Sequence, residues 1–326
     1  MIRDIFINFK QLLWKKWLII ISSLVIIAVF PLFISPYFIS FIMSIAMYVI
    51  LCASWNVISG YAGYISFGHV VFWGTGAYLT TIFINKLGVC WPIALISAGI
   101  GAALIATLIS FPLLRLSGTF FAISMLAFTE AMGIAVAHFG NLTGGGGGTY
   151  IIPLISLNTA YFLMVGLASF LLLLMLGLQN TKFIYSLKAI RGNEIAADTL
   201  GINTVVRKRQ AFVFSAFPAA LAGSIYVLNV CFISPHTAFN ITITLRVIMM
   251  TVLGGIGTVL GPLIGPIVFN GIAELLWARF PFIHKAILGV MVIIIVLVIP
   301  NGVVPLLNKL FKKKFNTLKV KKQKQK

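Results

Sequence analysis

Apolar residues run along this chain in blocks of about twenty, parted by short polar or glycine-rich breaks. A helix needs about 20 such residues to cross a bilayer core. The blocks predict spans near 17–34, 41–58, 66–85, 92–113, 118–139, 157–178, 210–231, 241–260, 262–279 and 286–305. The fold class implied is all-α, a polytopic transmembrane helical bundle of about ten spans. A transmembrane barrel would show ~10-residue alternating segments, and the unbroken runs contradict one. Glycines in 66–85 and in the 241–279 pair leave re-entrant or broken helices open there. The first block follows basic residues, as in a signal peptide, but it is long and no small-x-small cleavage site follows it. It reads as a retained span.

Composition strengthens this picture. The chain is 60% hydrophobic and 9% charged, against roughly 25% charged in soluble domains. The net charge of +19 matters less than where it lies. Four basic residues fall between Arg3 and Lys16, Arg115 lies between the fourth and fifth spans, six follow the sixth span, and nine lysines fall in 309–326. An N-terminus in the cytoplasm places all of these inside and leaves only Lys86, Arg279 and Lys285 outside, with Arg246 within a span. The positive-inside rule then puts both termini in the cytoplasm and favours an even number of spans. Residues 1–308 read as the transmembrane domain, and 309–326 as a lysine-rich cytoplasmic tail expected to be disordered. Basic ends of this kind attract anionic membrane lipid and do not indicate a nucleic-acid partner. Cys52, Cys90 and Cys231 share no CxxC spacing. They read as buried free thiols, with a Cys90–Cys231 bridge as the weaker alternative. No P-loop and no metal-ligand cluster occurs in the sequence. No ATPase site, cofactor or enzyme chemistry is therefore expected of the chain itself.

The longest polar break, 179–209, stands apart. Its centre reads as a short amphipathic helix. Arg191, Glu194 and Asp198 share one face, Ala189, Asn193, Ala196 and Leu200 the opposite one, and Gly201 suits a left-handed C-cap. Small side chains admit the close approach of another surface, so the helix could dock into a groove on a soluble partner. A solvated helix, or one held at the headgroups by Arg207–Arg209, is the plainer reading.

The segment EIAADTLGI resembles the "EAA…G" loop of ABC importer permeases. The wider resemblance is to the M-type permease of branched-chain amino-acid importers. It is carried by WNVISGYAGYISFGHVVFWGTGAY (55–78), GTFFAISMLAFTEAM (118–132), NLTGGGGG (141–148), the stretch 187–226 and VLGGIGTVLGPLIG (252–265). The resemblance implies a coupling helix seated on an ATP-binding subunit, with Glu194, Ala196, Ala197 and Gly201 matching its motif and Arg191 just before it. It also implies two cytoplasmic ATP-binding subunits, a second H-type permease and an extracytoplasmic solute-binding protein. Related urea and amide importers share these motifs. The all-glycine run 144–148 and the lysine tail depart from the family pattern.

Other residues invite functional readings. Glu130, Arg246 and Glu274 are charges inside predicted spans, where charge is costly. Arg246 is expected to pair with one of the carboxylates, or else to snorkel outward. Gly63, Ser66, Gly68 and His69 sit in a glycine-broken segment that either borders a transport route or packs helices closely. His69 reads more readily as a buried, satisfied ring than as a ligand. The glycine run near Gly144 reads as a flexible outer loop, or as a hinge answering an external partner. An ion-coupled carrier working alone is the competing function, and it would have no use for a docking loop.

Overall fold

The computed structural model describes residues 35–279, together with 289, 290 and 302. The expected spans 17–34 and 286–305, and the tail, lie outside the described residues. Ten helices carry the fold: α1 (Pro36–Trp55), α2 (Val70–Leu87), α3 (Trp91–Leu113), α4 (Gly118–His138), α5 (Leu157–Leu178), α6 (Lys182–Gly192), α7 (Glu194–Thr199), α8 (Thr204–Val230), α9 (Ile241–Gly254) and α10 (Gly261–Arg279). Single helical turns lie at Gly140–Thr143 and Pro235–Ala238. The helix limits follow local chemistry. Proline opens the first turns of α1 and α3, where no backbone donor is lost. The side chains of Ser156, Asn203 and Asn240 cap α5, α8 and α9.

Among the described residues, seven helical stretches are long and apolar enough to span a membrane: Pro36–Tyr61, Trp91–Leu113, Gly118–His138, Leu157–Leu178, Thr204–Val230, Pro235–Gly254 and Gly261–Arg279. The expected span 66–85 differs. Residues 62–69, the last four of which open that span, are non-helical, and only then does α2 begin. α2 is not among the seven; it is enclosed by protein, packing on α8 and α3. The pair expected at 241–260 and 262–279 forms two separate helices, α9 and α10, joined by the irregular stretch 255–260.

α8 is the axis of the bundle. It packs on α2, α3, α1 and α5, and 78% of its most apolar window is buried, against 22–33% for α3, α4 and α5. The α2–α8 contact is close because each helix offers a glycine. A Cβ on Gly76 would lie 2.1 Å from the Ala220 carbonyl oxygen, and one on Gly223 would lie 1.9 Å from that of Trp73. Ser224 donates to the Gly76 carbonyl across the same seam at 3.2 Å. Small residues at such a crossing gain dispersion contacts where no water is left to drive association.

At one end of the bundle the glycine run is folded, which corrects the flexible-loop expectation. Gly140–Thr143 forms a turn, and Thr143 donates to the carbonyls of Val136 and Phe139. The two-residue strands β1 (Thr149–Tyr150) and β2 (Phe232–Ile233) pair antiparallel. Gly148 has φ +80°, and a Cβ there would strike the Ile233 carbonyl at 2.4 Å. Cys52, Cys90 and Cys231 are free thiols; Cys52 alone is buried. At the other end lie the α5–α8 connection and the irregular stretches 62–69 and 255–260.

Replacing Gly223 with Ala should force α8 off α2 and cost about 1–3 kcal/mol, as overpacking does. Thermal unfolding of the detergent-solubilised protein checks this. An unchanged midpoint would contradict the close seam.

Candidate functional site

The stretch 182–209 folds onto the bundle as two helices, not one. Asn193 is extended, with φ −161° and ψ 115°, and breaks the chain between α6 and α7. Its side-chain oxygen accepts from the Ala196 amide and caps the shorter helix. Gly201 has φ +82° and donates to the Asp198 carbonyl at 2.9 Å, as a left-handed helix stop requires. The break turns the expected faces. Ala197 is buried while Ala196 is exposed, so the two alanines of the motif do different things. Ile195 and Leu200 point outward, 79% and 81% exposed.

A charged cluster fixes α7 to the bundle. The Lys208 ammonium on α8 is only 4% exposed. It meets the Glu194 carboxylate at 2.5 Å, the Tyr64 hydroxyl at 2.9 Å and the Leu114 carbonyl at 3.3 Å. Tyr64 in turn donates to the other oxygen of Glu194 at 2.5 Å. Partial burial opposes charge on Glu194. The hydrogen bonds from Lys208 and Tyr64, and the Lys208 charge, outweigh it and hold the carboxyl below its usual range. Burial, and then the bond to the Glu194 carboxylate, push the Tyr64 hydroxyl up.

Arg191 makes the second attachment. Its guanidinium donates to the Gly60 carbonyl at 2.5 Å. Gly60 lies in the π-helical stretch Asn56–Tyr61 that ends Pro36–Tyr61, the first span among the described residues. The Arg191 stem also packs under Gly63, where φ is +81° and an added Cβ would meet it at 3.0 Å. Asn56, one turn away, clasps the irregular stretch before α10. Its amide donates to the Thr258 carbonyl at 2.9 Å and accepts from the Gly257 amide at 2.8 Å. The α6–α7 unit is therefore tied to α8, to the end of the first span and, through the latter, to the α9–α10 turn. Lys208, Tyr64 and Asn56 were missed as partners in the sequence. Lys208 reads there as one charge among three in a basic run, and the other two lie in an apolar segment far along the chain.

The remaining candidates do not form one site. Ser66 and His69 lie in the buried hook 62–69. The Trp55 indole donates to the Ser66 carbonyl at 2.8 Å, and His69 Nε2 lies 2.9 Å from the Ser54 hydroxyl. The Ser66 hydroxyl and His69 Nδ1 are buried without a partner, so the ring is only half satisfied. Gly68 permits contact with α4, since a Cβ would lie 2.1 Å from the Met125 carbonyl. Arg246 reaches the Tyr48 hydroxyl at 3.5 Å, and Glu274 accepts from Tyr37. Among the described residues neither carboxylate pairs with Arg246, which corrects that expectation. Hydroxyls on α1 are nearer to both charges than the charges are to each other. Glu130 is exposed on α4 and borders a groove of about 360 Å³ with His236 and Asn240.

Glu194→Ala would leave a buried ammonium without its anion and should cost about 1–3 kcal/mol. The carboxyl value is depressed in the folded protein, so the pair contributes fully above the unfolded carboxylate value of about 4.3 and is lost as pH falls through the lower, folded one. The difference in unfolding temperature between wild type and Glu194→Gln should be largest at neutral pH and vanish in acid. A pH-independent difference would contradict the pairing.

Comparison with known proteins agrees with this architecture. The family model described as "Branched-chain amino acid transport system / permease component" matches residues 37–297. The chain is similar to the high-affinity branched-chain amino acid transport system permease protein LivM of Escherichia coli (strain K12). The alignment is 26% identical and covers 90% of this chain and 76% of the relative. The LivM protein of Salmonella typhimurium matches with the same figures. No solved structure matches. A multi-pass membrane protein by its helices, the chain belongs to the family of branched-chain amino-acid transport permeases.

Proposed function

We propose that this chain is the M-type permease subunit of an ATP-driven importer of branched-chain amino acids. Partner ATPases would grip the α6–α7 unit and drive alternating access. Both termini and this unit would lie in the cytoplasm, as the basic residues clustered at that end support, and the full chain would cross the membrane about ten times. The partners would be two ATP-binding subunits, an H-type permease and an extracytoplasmic solute-binding protein.

One observation carries this reading. α7 and the residue that follows it expose Ile195 and Leu200 to the outside, while the inner side of α7 is fixed by Lys208 and Tyr64. A carrier working alone would leave these two large apolar side chains in water. A coupling helix needs such an outer face and a firm seat. The seat would pass motion to the bundle, because Arg191 joins the unit to the end of the first span. Nucleotide could then shift the conformational balance only through the difference in ATPase affinity between the two states.

Glu130 and Arg246 are exposed on spans α4 and α9. Charges on spanning helices face protein or water, which supports a protein neighbour or a water-filled conduit against each of these positions.

Ile195→Asp with Leu200→Asp should cut substrate-stimulated ATP hydrolysis by the reconstituted importer at least about tenfold, the effect of losing roughly 1.4 kcal/mol of contact. The unfolding temperature of the permease alone should stay unchanged. Wild-type hydrolysis in that variant would remove α7 as the docking element. Uptake by the chain alone under an ion gradient would favour the competing carrier.

A further inference from the structure

The outward face of α8 borders two recesses stacked along one line. The first lies at the Asn203 end of the helix and has a volume of about 610 Å³. Val206, Arg207 and Gln210 wall it on the α8 side, and Lys182 and Tyr185 of α6 wall it opposite. The second is a cleft of about 280 Å³, walled by Phe214 and Phe217 of α8, Leu171 and Leu174 of α5, and Ala103 of α3.

The two recesses share a direction. At 100° per residue, positions 203, 206, 207 and 210 of α8 and positions 213, 214, 217 and 218 centre on the same side of the helix. The other wall is continuous as well, because α5 ends at Leu178 and α6 begins at Lys182. Arg207 and Phe217 are ten residues apart, roughly 15 Å along the helix. The two recesses therefore lie end to end along one side of α8, as a furrow with a basic mouth and an apolar floor.

The chemistry of the mouth selects the occupant. Among the described residues, Lys182 and Arg207 line it and no carboxylate does. Arg207 also donates to Gln210 at 3.1 Å, which steadies the guanidinium beside the groove. Arg207 and Gln210 lie within the spanning helix Thr204–Val230, and Lys182 follows the span Leu157–Leu178 by four residues, so the mouth sits at headgroup level. The cleft deeper in the membrane exposes almost only carbon. An anion at headgroup level joined to a chain about 15 Å long matches both parts.

We infer that this furrow is a binding site for one anionic phospholipid, with its phosphate between Lys182 and Arg207 and an acyl chain along Phe214 and Phe217. The site lies on the flank of the α6–α7 unit, so a bound lipid would brace that unit against α8. The inference stands apart from the transport assignment, because it rests on the furrow alone.

Native mass spectrometry of the intact protein, released from vesicles of mixed phosphatidylglycerol and phosphatidylethanolamine, tests it. One phosphatidylglycerol should be retained in preference to phosphatidylethanolamine. Lys182→Gln with Arg207→Gln should lower that retention about thirtyfold, the effect of two headgroup-level cations. Leu174→Trp, at a partly buried position of the cleft wall, fills the cleft and leaves the charges in place, and it should also displace the lipid. Equal retention of the two lipids, or unchanged retention in both variants, would overturn the site. So would a Lys182/Arg207 variant that keeps its lipid and instead loses an ATPase partner, because the groove would then be a protein seat.

Discussion

A buried ammonium needs its anion. Lys208 sits on the central helix, almost closed off from water, and Glu194 reaches it from a six-residue helix that has little hydrophobic seat of its own. Removing Glu194 leaves the Lys208 ammonium poorly solvated, and that is more costly than an exposed pair is worth. The bond therefore fixes where α7 can be. Tyr64 closes the triangle and joins it to the hook after the first span. Arg191 adds a separate tie to Gly60. With α7 fixed at these points, its outer face is free for a partner and its inner face is committed to the bundle.

The same device explains why the irregular backbone at this end is tolerated. Non-helical chain at membrane depth survives only when protein satisfies its polar groups. In the hook 62–69, Trp55 and Ser59 bond the carbonyl and amide of Ser66. In the turn before α10, Asn56 takes both the Gly257 amide and the Thr258 carbonyl. Both irregular segments thus lean on the last two turns of the first span, and that is the stretch Arg191 holds. A displacement of the α6–α7 unit would reach the hook and the α9–α10 turn together.

Much of this was legible in the sequence, and the limits have physical causes. Span positions follow from apolar runs, because a bilayer filters strongly for them. The loop 179–209 stood out because its charges lie in a chain that has few. Gly201 was readable as a helix stop because positive φ favours glycine. The split at Asn193 was not, since the 3.6-residue pattern continues through it and only the cap shows the break. The pairing of Glu194 was hidden for a different reason. A one-dimensional reading assigns Lys208 to membrane topology, and its burial depends on Tyr64 and Leu114 from distant segments. Arg246 was expected to seek a carboxylate, but in the fold Tyr48 is nearer. The glycine run was expected to be loose, yet two of its glycines are needed for tight backbone approaches.

The central claim is that α7 and the start of α8 move as one piece because Glu194 and Lys208 hold them together. Spin labels at the exposed positions Asp198 and Gln210, in the importer proposed above, report on that directly. Pulsed electron resonance should give one narrow distance distribution that is the same with and without nucleotide. A distribution that broadens or shifts between nucleotide states would contradict the claim.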